Sequence, residues 1–379
     1  MNRPGTFLVM FIFSASVLFA QTSDTLLFSG QASAWANVNF GEDATIWTGA
    51  RYLPQLNYTL ERPSGKFDFE VSLNAYGNLG FRPYDSTIVE GRIKPYRLWL
   101  RYSTSQLELR LGLQKINFGS AAFIRPLMWF DQVDPRDPLQ LTDGVWGMLG
   151  RYYFLNNANL WLWVLYPSSE PKTWEFAGTN MHFPEFGGRI QYPVPGGEMG
   201  LSYHHRQTDT RGNSLEIPDI EEVPENRIGL DGKWDVGVGL WFEASQTSFS
   251  KSLNALTHQT MLAVGTDYTF GAGNGLNVVF EHLVYGSGEE AFHYPSALNF
   301  SGISVTYPLN MFTQLNAIFY YDWSHRNSYN YLSFKRQLKH LDLHLMAYWN
   351  PENALMPNQP SERNFYTGAG LQCLLVFSH

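Results

Sequence analysis

The stretch Leu107-Glu-Leu-Arg-Leu-Gly-Leu113 constrains the fold of this chain more than any other. Leu107, Leu109, Leu111 and Leu113 project to one side, and Glu108, Arg110, Gly112 and Gln114 to the other, because a strand alternates its side chains with a period of two. Such a strand needs an oily surrounding on one face and a polar one on the other. The pattern recurs to the C-terminus. It predicts strands over 32–40, 51–60, 66–78, 96–102, 107–113, 145–155, 159–166, 187–192 and 198–206. Further strands are predicted over 227–233, 236–247, 260–270, 276–285, 298–307, 312–322, 329–336, 341–349 and 365–377. That makes about 18 strands, with 16 left open because strand ends are the least legible feature of a sequence. Pro54 weakens the second strand, since proline cannot donate to a ladder.

The spacing between strands sorts into two kinds. Tight links stand at 62–65, 103–105, 155–157, 194–197, near Trp234, 271–275 and 308–310, and longer ones at 78–92, 118–144, 167–186, 207–226, 286–297 and 350–364. Outer-membrane barrels alternate short periplasmic turns with long external loops in this way. Only helices and closed barrels satisfy every backbone group inside a bilayer. No run of 18 apolar residues follows the N-terminus, so a spanning helix is unavailable. Charged residues make up 16% of the chain, below the quarter or so of soluble domains, and aromatics also 16%. The expected architecture is an all-β, single transmembrane antiparallel β-barrel, with apolar faces toward lipid and polar faces toward the lumen. Trp35, Tyr52, Tyr102, Tyr166, Trp349 and Phe377 are expected in aromatic girdles at the strand ends.

Residues 1–20 read as a signal peptide: Arg3 supplies the positive start, Thr6 to Phe19 the apolar middle and Ala20 the cleavage residue. An uncleaved anchor helix is the competing reading. The domain division is therefore 1–20 signal peptide and 21–379 barrel, with no room for a plug ahead of the first strand. A net charge of −8 without a basic cluster argues against nucleic acid. Cys373 is the sole cysteine, which excludes an internal disulfide.

By parity, Arg51, Arg97, Arg101, Arg110, Arg151, Arg189, Arg206 and Arg227 face the lumen, all in the first ten strands. Asp235, Glu243, Asp267, Glu281, Asp322 and Asp342 face it later, while Asp68, Glu70 and Glu108 break the segregation. A lumen basic on one wall and acidic on the other sets a transverse field that orients polar solutes; local pairing of the same charges is the plain alternative. Arg97, Arg101 and Arg110 form the sharpest cluster, the tight turn placing Arg110 beside Arg97 or Trp99. Their charge calls for a loop carboxylate, Glu108 or a passing solute. The loop 118–144 is the natural source, with Asp131, Asp134, Arg136 and Asp137 among Phe123, Ile124, Leu127, Met128, Trp129 and Phe130. A loop this apolar should not stand in water. It is expected inside the barrel as a constriction, or packed on the rim as a lid. The candidate pore-lining residues are thus Arg97, Arg101, Arg110, Arg151, Asp131, Asp134, Arg136 and Asp137.

Enzymatic and metal chemistry find little support. Ser202, His204 and His205 are adjacent, but neighbouring histidines on a strand face opposite sides, and no Gly-x-Ser-x-Gly segment occurs. His340, Asp342 and His344 share a strand face at a spacing of about 7 Å, too wide for three ligands to chelate one ion unaided. No catalytic, cofactor or metal site is expected.

The segment Gly112-Leu-Gln-Lys-Ile-Asn-Phe-Gly119, followed by Asp134-Pro-Arg-Asp-Pro138, resembles the strand-then-loop segment of Gram-negative porin and alginate-export-like barrels. The last strand is similar to their assembly signal, although two residues follow Phe377. The resemblance implies a third external loop folded into the pore. The leading expectation is an outer-membrane channel for passive diffusion of small polar or anionic solutes. Export or surface assembly of an acidic polysaccharide is the alternative, and a lipid-hydrolysing barrel the third. Outer-membrane lipid and the solutes are the expected partners, and a homo-oligomer stays open.

Overall fold

The computed structural model describes residues 24–40, 45–81, 87–213, 215–295, 297–352 and 366–379. The expected signal peptide lies outside them. Eighteen strands run in chain order: β1 (Thr25–Asn39), β2 (Thr45–Arg62), β3 (Gly65–Phe81), β4 (Thr87–Ser103), β5 (Leu107–Gln114), β6 (Val145–Tyr153), β7 (Asn159–Leu165), β8 (Glu185–Val194) and β9 (Gly197–Thr208). They continue as β10 (Val223–Asp235), β11 (Gly239–Phe249), β12 (His258–Phe270), β13 (Leu276–Gly288), β14 (Ala297–Asn310), β15 (Thr313–Asp322), β16 (Asn327–Gln337), β17 (Leu341–Trp349) and β18 (Ala369–Ser378). Each pairs antiparallel with its sequence neighbours, and β1 pairs with β18 from Gln31↔Ser378 to Asn39↔Gly370. The sheet is closed, so no edge is left unpaired. The residue after Phe377 and Ser378 tightens that seam: Gly30 and His379 exchange both backbone hydrogen bonds at 3.0 Å.

Alternation decides which face is which. On β5, Leu109 and Leu111 are exposed on the outer wall, whereas Glu108 and Arg110 point inside. Leu98 and Leu100 on β4, Phe67 and Phe69 on β3, and Leu371 and Leu375 on β18 extend the same apolar surface. Burial is inverted relative to a soluble domain. Arg189, Arg206, Glu225, Arg227, Glu243 and Glu281 are buried within the cylinder. Among the described residues no helix is long and apolar enough to cross a membrane.

Three expectations need correction. The loop 78–92 is largely strand, since β3 continues to Phe81 and β4 starts at Thr87. Gly80 and Gly91 both lie in that extension, where glycines without side chains hid the alternation. Strict short–long alternation also fails at the β15–β16 link, which spans only 323–326. Trp35 faces the lumen rather than a girdle: its indole lies over Gly49, where an added Cβ would stand 2.3 Å from it. Tyr52, Tyr166, Trp349 and Phe377 remain exposed on the outer face. Pro54 is accommodated because the β2–β3 ladder has no paired residues between Tyr52 and Gln55.

Candidate functional site

The connection between β5 and β6, residues 115–144, runs through the interior of the cylinder. Irregular backbone there carries N–H groups that must find acceptors. Two glutamates on the opposite wall supply them. Glu281 of β13 accepts the amide N–H groups of Ala122 (2.5 Å), Phe123 (3.0 Å) and Ile124 (2.6 Å), and the indole N–H of Trp241 (2.8 Å). Glu243 of β11 accepts those of Ala121 (2.7 Å) and Leu127 (3.0 Å). A carboxylate has about four lone-pair positions, so Glu281 is fully used. The Ser120 hydroxyl adds a bond to Asp231 (3.1 Å), and Trp129 donates its indole N–H to the Ser245 hydroxyl (3.2 Å).

Apolar packing seats the same loop from both sides. Phe118, Leu127, Trp129 and Phe130 pack with Val145, Leu149, Trp163 and Leu165 of β6 and β7. Phe123 and Ile124 pack with Met261, Ala263, Leu283, Phe300, Ile318 and Tyr320 of β12 to β15. Each fully buried aromatic or branched side chain contributes about 1.5–3 kcal/mol. The loop is therefore a fixed partition, not a lid on the rim.

Both glycines that open and close the segment 112–119 have a mechanical reason. Gly112 has φ +120°, and a Cβ there would lie 2.1 Å from the Leu98 carbonyl. Gly119 has φ +105°, and a Cβ there would lie 2.2 Å from Glu243 Oε1. Gly119→Ala should lower unfolding stability in detergent by about 1–3 kcal/mol through left-handed strain and displacement of Glu243. A denaturation midpoint equal to wild type would contradict the role assigned to Gly119.

The inner wall formed by β4, β5 and β6 carries a cluster of arginines. Arg101 donates to Asp68 (3.1 and 2.7 Å) and lies 3.9 Å from Glu108. Arg110 donates to Glu108 at 3.0 Å and Arg151 at 3.4 Å. Arg110 pairs with Arg101 in the β4–β5 ladder, and its guanidinium lies beside Trp99, one of the two neighbours expected for it. Each guanidinium is also laid on a ring: Arg97 on Tyr96 (4.0 Å), Arg101 and Arg110 on Trp99 (5.5 and 4.8 Å), Arg151 on Trp161 (3.8 Å). Arg97 donates to the carbonyls of Tyr96 and Thr142. The compensating charge for Arg101, Arg110 and Arg151 thus comes from Glu108 and Asp68, not from the loop.

The loop acids are largely committed to loop arginines. Asp131 is buried and accepts from Arg125 at 3.0 Å. Asp134 accepts from Arg136 at 2.7 and 2.6 Å. Arg136 is itself buried, with the rings of Tyr331 and Tyr366 5.4 and 5.1 Å away and a 2.9 Å bond to the Tyr331 hydroxyl. Burial opposes its charge, but Asp134 and Tyr331 hold its proton more tightly than usual. Asp131 and Arg136 are therefore anchors rather than lining groups. Asp137 accepts from the Leu139 amide at 3.0 Å, and burial pushes its carboxyl above the usual range.

Elsewhere the charges pair locally. Arg189 is bidentate on Asp231 (2.6 and 2.9 Å). Arg206 and Arg227 share Glu225 and Glu175, a residue of the β7–β8 connection, at 2.5–3.0 Å. Asp235 is exposed at a turn. His204 is buried, its Nδ1 accepting from Trp163 at 3.2 Å and its Nε2 3.3 Å from Glu185, while Ser202 accepts from Arg189. Ser202 and His204 thus have other partners. The anchoring roles of Glu243 and Glu281 were not legible in the sequence: parity places them inward, but nothing local indicates which amides they meet.

No protein-family model matches the chain, and no curated relative matches it. Solved structures do. Pseudomonas aeruginosa OccK7 (OpdD) superposes with a TM-score of 0.57 at 8% identity, over 95% of this chain and 99% of that one. Acinetobacter baumannii OccAB4 gives 0.55 at 9% identity, over 95% and 99%. Pseudomonas aeruginosa OccK5 (OpdH) gives 0.52 at 12% identity, over 93% and 97%. At this identity the likeness is one of fold, the porin-type barrel of Gram-negative outer membranes.

Proposed function

We propose that the chain is an outer-membrane channel through which small polar or anionic solutes diffuse passively, narrowed by loop 118–144. Residues 1–20 would direct its export and residues 21–379 form the barrel. One observation carries this reading: a closed, outwardly apolar cylinder keeps a cluster of ring-stacked arginines, Arg101, Arg110 and Arg151, on its inner wall, where Asp68 and Glu108 of that same wall rather than the internal loop meet their charge. The outer face meets lipid, and the arginines favour entry of anions along a lumen whose low-dielectric walls focus their field. Export of a polysaccharide would need a wide lumen, and the internal loop, seated by two apolar clusters, occupies part of it.

Proteoliposomes containing the purified protein should swell in small sugars and organic acids and stop responding as solute size grows. Organic acids should enter faster than neutral solutes of equal size. Swelling indistinguishable from protein-free liposomes would refute the channel.

A further inference from the structure

A cup of about 510 Å³ lies between the β7–β8 connection (166–184) and the β9–β10 connection (209–222), on the side of the long links. Small-molecule sites run from roughly 300 to 1,000 Å³. The walls are tied together. Thr179 pairs with Thr208 in a β-bridge, and the Asp209 amide N–H donates to the Gly178 carbonyl at 3.0 Å. The side-chain amide of Asn180 donates to the Glu221 carbonyl (3.1 Å), and that of Asn213 to the Phe176 carbonyl (2.6 Å). Gly178 lets the first connection close on itself, since a Cβ there would lie 2.2 Å from the Ser169 carbonyl. Glu175 of the same connection is held inside the barrel by Arg206 and Arg227 at 3.0 and 2.8 Å. The cup is thus preformed.

Its lining combines a charge clamp with apolar side chains. Arg211 donates to Asp209 at 3.0 and 2.6 Å and lies 3.0 Å from Glu221. Those hydrogen bonds hold the Asp209 carboxyl below its usual range, so it is ionised at neutral pH. Two carboxylates against one guanidinium leave the clamp net negative, which disfavours an anion. A cation would have to displace Arg211 from both partners. The side chains of His182 and Ser169 also line the cup and make no hydrogen bond to other residues among those described, apart from the Ser169 backbone. Pro171, Phe176 and Met181 supply the apolar part, with Phe176 seated against Phe249 at 5.4 Å between ring centroids. Such a lining suits a neutral molecule with hydroxyls on its edge and C–H groups on its face.

We propose that this cup is a binding site for a neutral saccharide, separate from the passage through the barrel. Hydroxyls donate to the free oxygen of Glu221 and to His182, and accept from the remaining Arg211 N–H groups, whose planar fork can meet two neighbouring oxygens. The C–H face of the sugar ring rests on Phe176 and Met181. Binding of this kind does not require the pore to conduct.

The test is saturation-transfer NMR on full-length protein in detergent micelles, with protein-free micelles subtracted. The probes are the methyl glycosides of glucose, galactose and mannose, with glucuronate as the charged comparison. At least one glycoside should bind, about tenfold more tightly than glucuronate, the margin of one well-made polar contact. Ser169→Trp, which places an indole in the cup, should abolish the transfer. Glu221→Gln changes one half-exposed side chain and takes the clamp to neutrality. It should shrink the margin over glucuronate at least threefold, and it serves as the test should Ser169→Trp not fold. No transfer to any glycoside would overturn the site. Wild-type binding by a Ser169→Trp protein with native circular dichroism would place the sugar elsewhere and overturn the cup. Glucuronate binding as tightly as the glycosides, or an unchanged margin in Glu221→Gln, would overturn the assignment to a neutral ligand. Cup-dependent binding by a protein that passes no current would uphold the site and remove the channel.

Discussion

Glu281→Ala should loosen the internal loop and raise the unitary conductance of the channel. The substitution strips the acceptor from the amides of Ala122, Phe123 and Ile124 and from the Trp241 indole. A buried donor left unsatisfied costs about 1–3 kcal/mol. Four together exceed what the packing of Phe123 and Ile124 offsets, so the segment should leave its seat. Glu243→Ala, which removes two acceptor contacts, should do the same more weakly. The double substitution should give the largest and noisiest openings. Glu281→Gln keeps one acceptor oxygen but turns an amide NH₂ toward backbone N–H groups, and it should fall between wild type and alanine. Single-channel recordings check the order. Identical conductance in wild type and the double variant would show that the loop does not set the width of the pore.

The second large effect concerns charge. Replacing Arg97, Arg101 and Arg110 together with glutamine removes three positive groups and leaves Asp68, Glu70 and Glu108 on the same stretch of wall. The sign of the local potential then reverses. The chloride-to-potassium permeability ratio should drop by about threefold or more, since shifts near 1 kcal/mol are ordinary for charges a few ångströms from a permeating ion. The reversal potential across a potassium chloride gradient reads this directly, in variants whose circular dichroism retains the wild-type β-sheet signal. High salt should blunt the difference. An unchanged reversal potential would mean that ions pass elsewhere than along this wall.

Much of the barrel was legible because a lipid-spanning strand must obey a rule of two. Leu109 and Leu111 against Glu108 and Arg110 could have been read with no structure at all. So could the count of strands and the inward path of the loop, since Leu127, Trp129 and Phe130 beside one another cannot be left in water. The rule weakens where side chains shrink. Gly80 and Gly91 made an extended hairpin look like a loop. It also says nothing about distance across the lumen. Parity placed Arg189, Arg206 and Arg227 inside, but their pairing with Asp231, Glu175 and Glu225 depends on the barrel's curvature and on where the β7–β8 connection folds. The same limit hid Glu243 and Glu281. Aromatic position was a further weak point: Trp35 near a strand end suggested a girdle, but its parity with Ser33 and Asn37 turns it inward, where Gly49 leaves room for the ring.

The central claim is that this polypeptide forms a water-filled passage through a bilayer. Purified full-length protein should produce discrete, ohmic current steps in a planar lipid membrane bathed in potassium chloride. A correctly folded, membrane-inserted protein that stays electrically silent at every potential would contradict it.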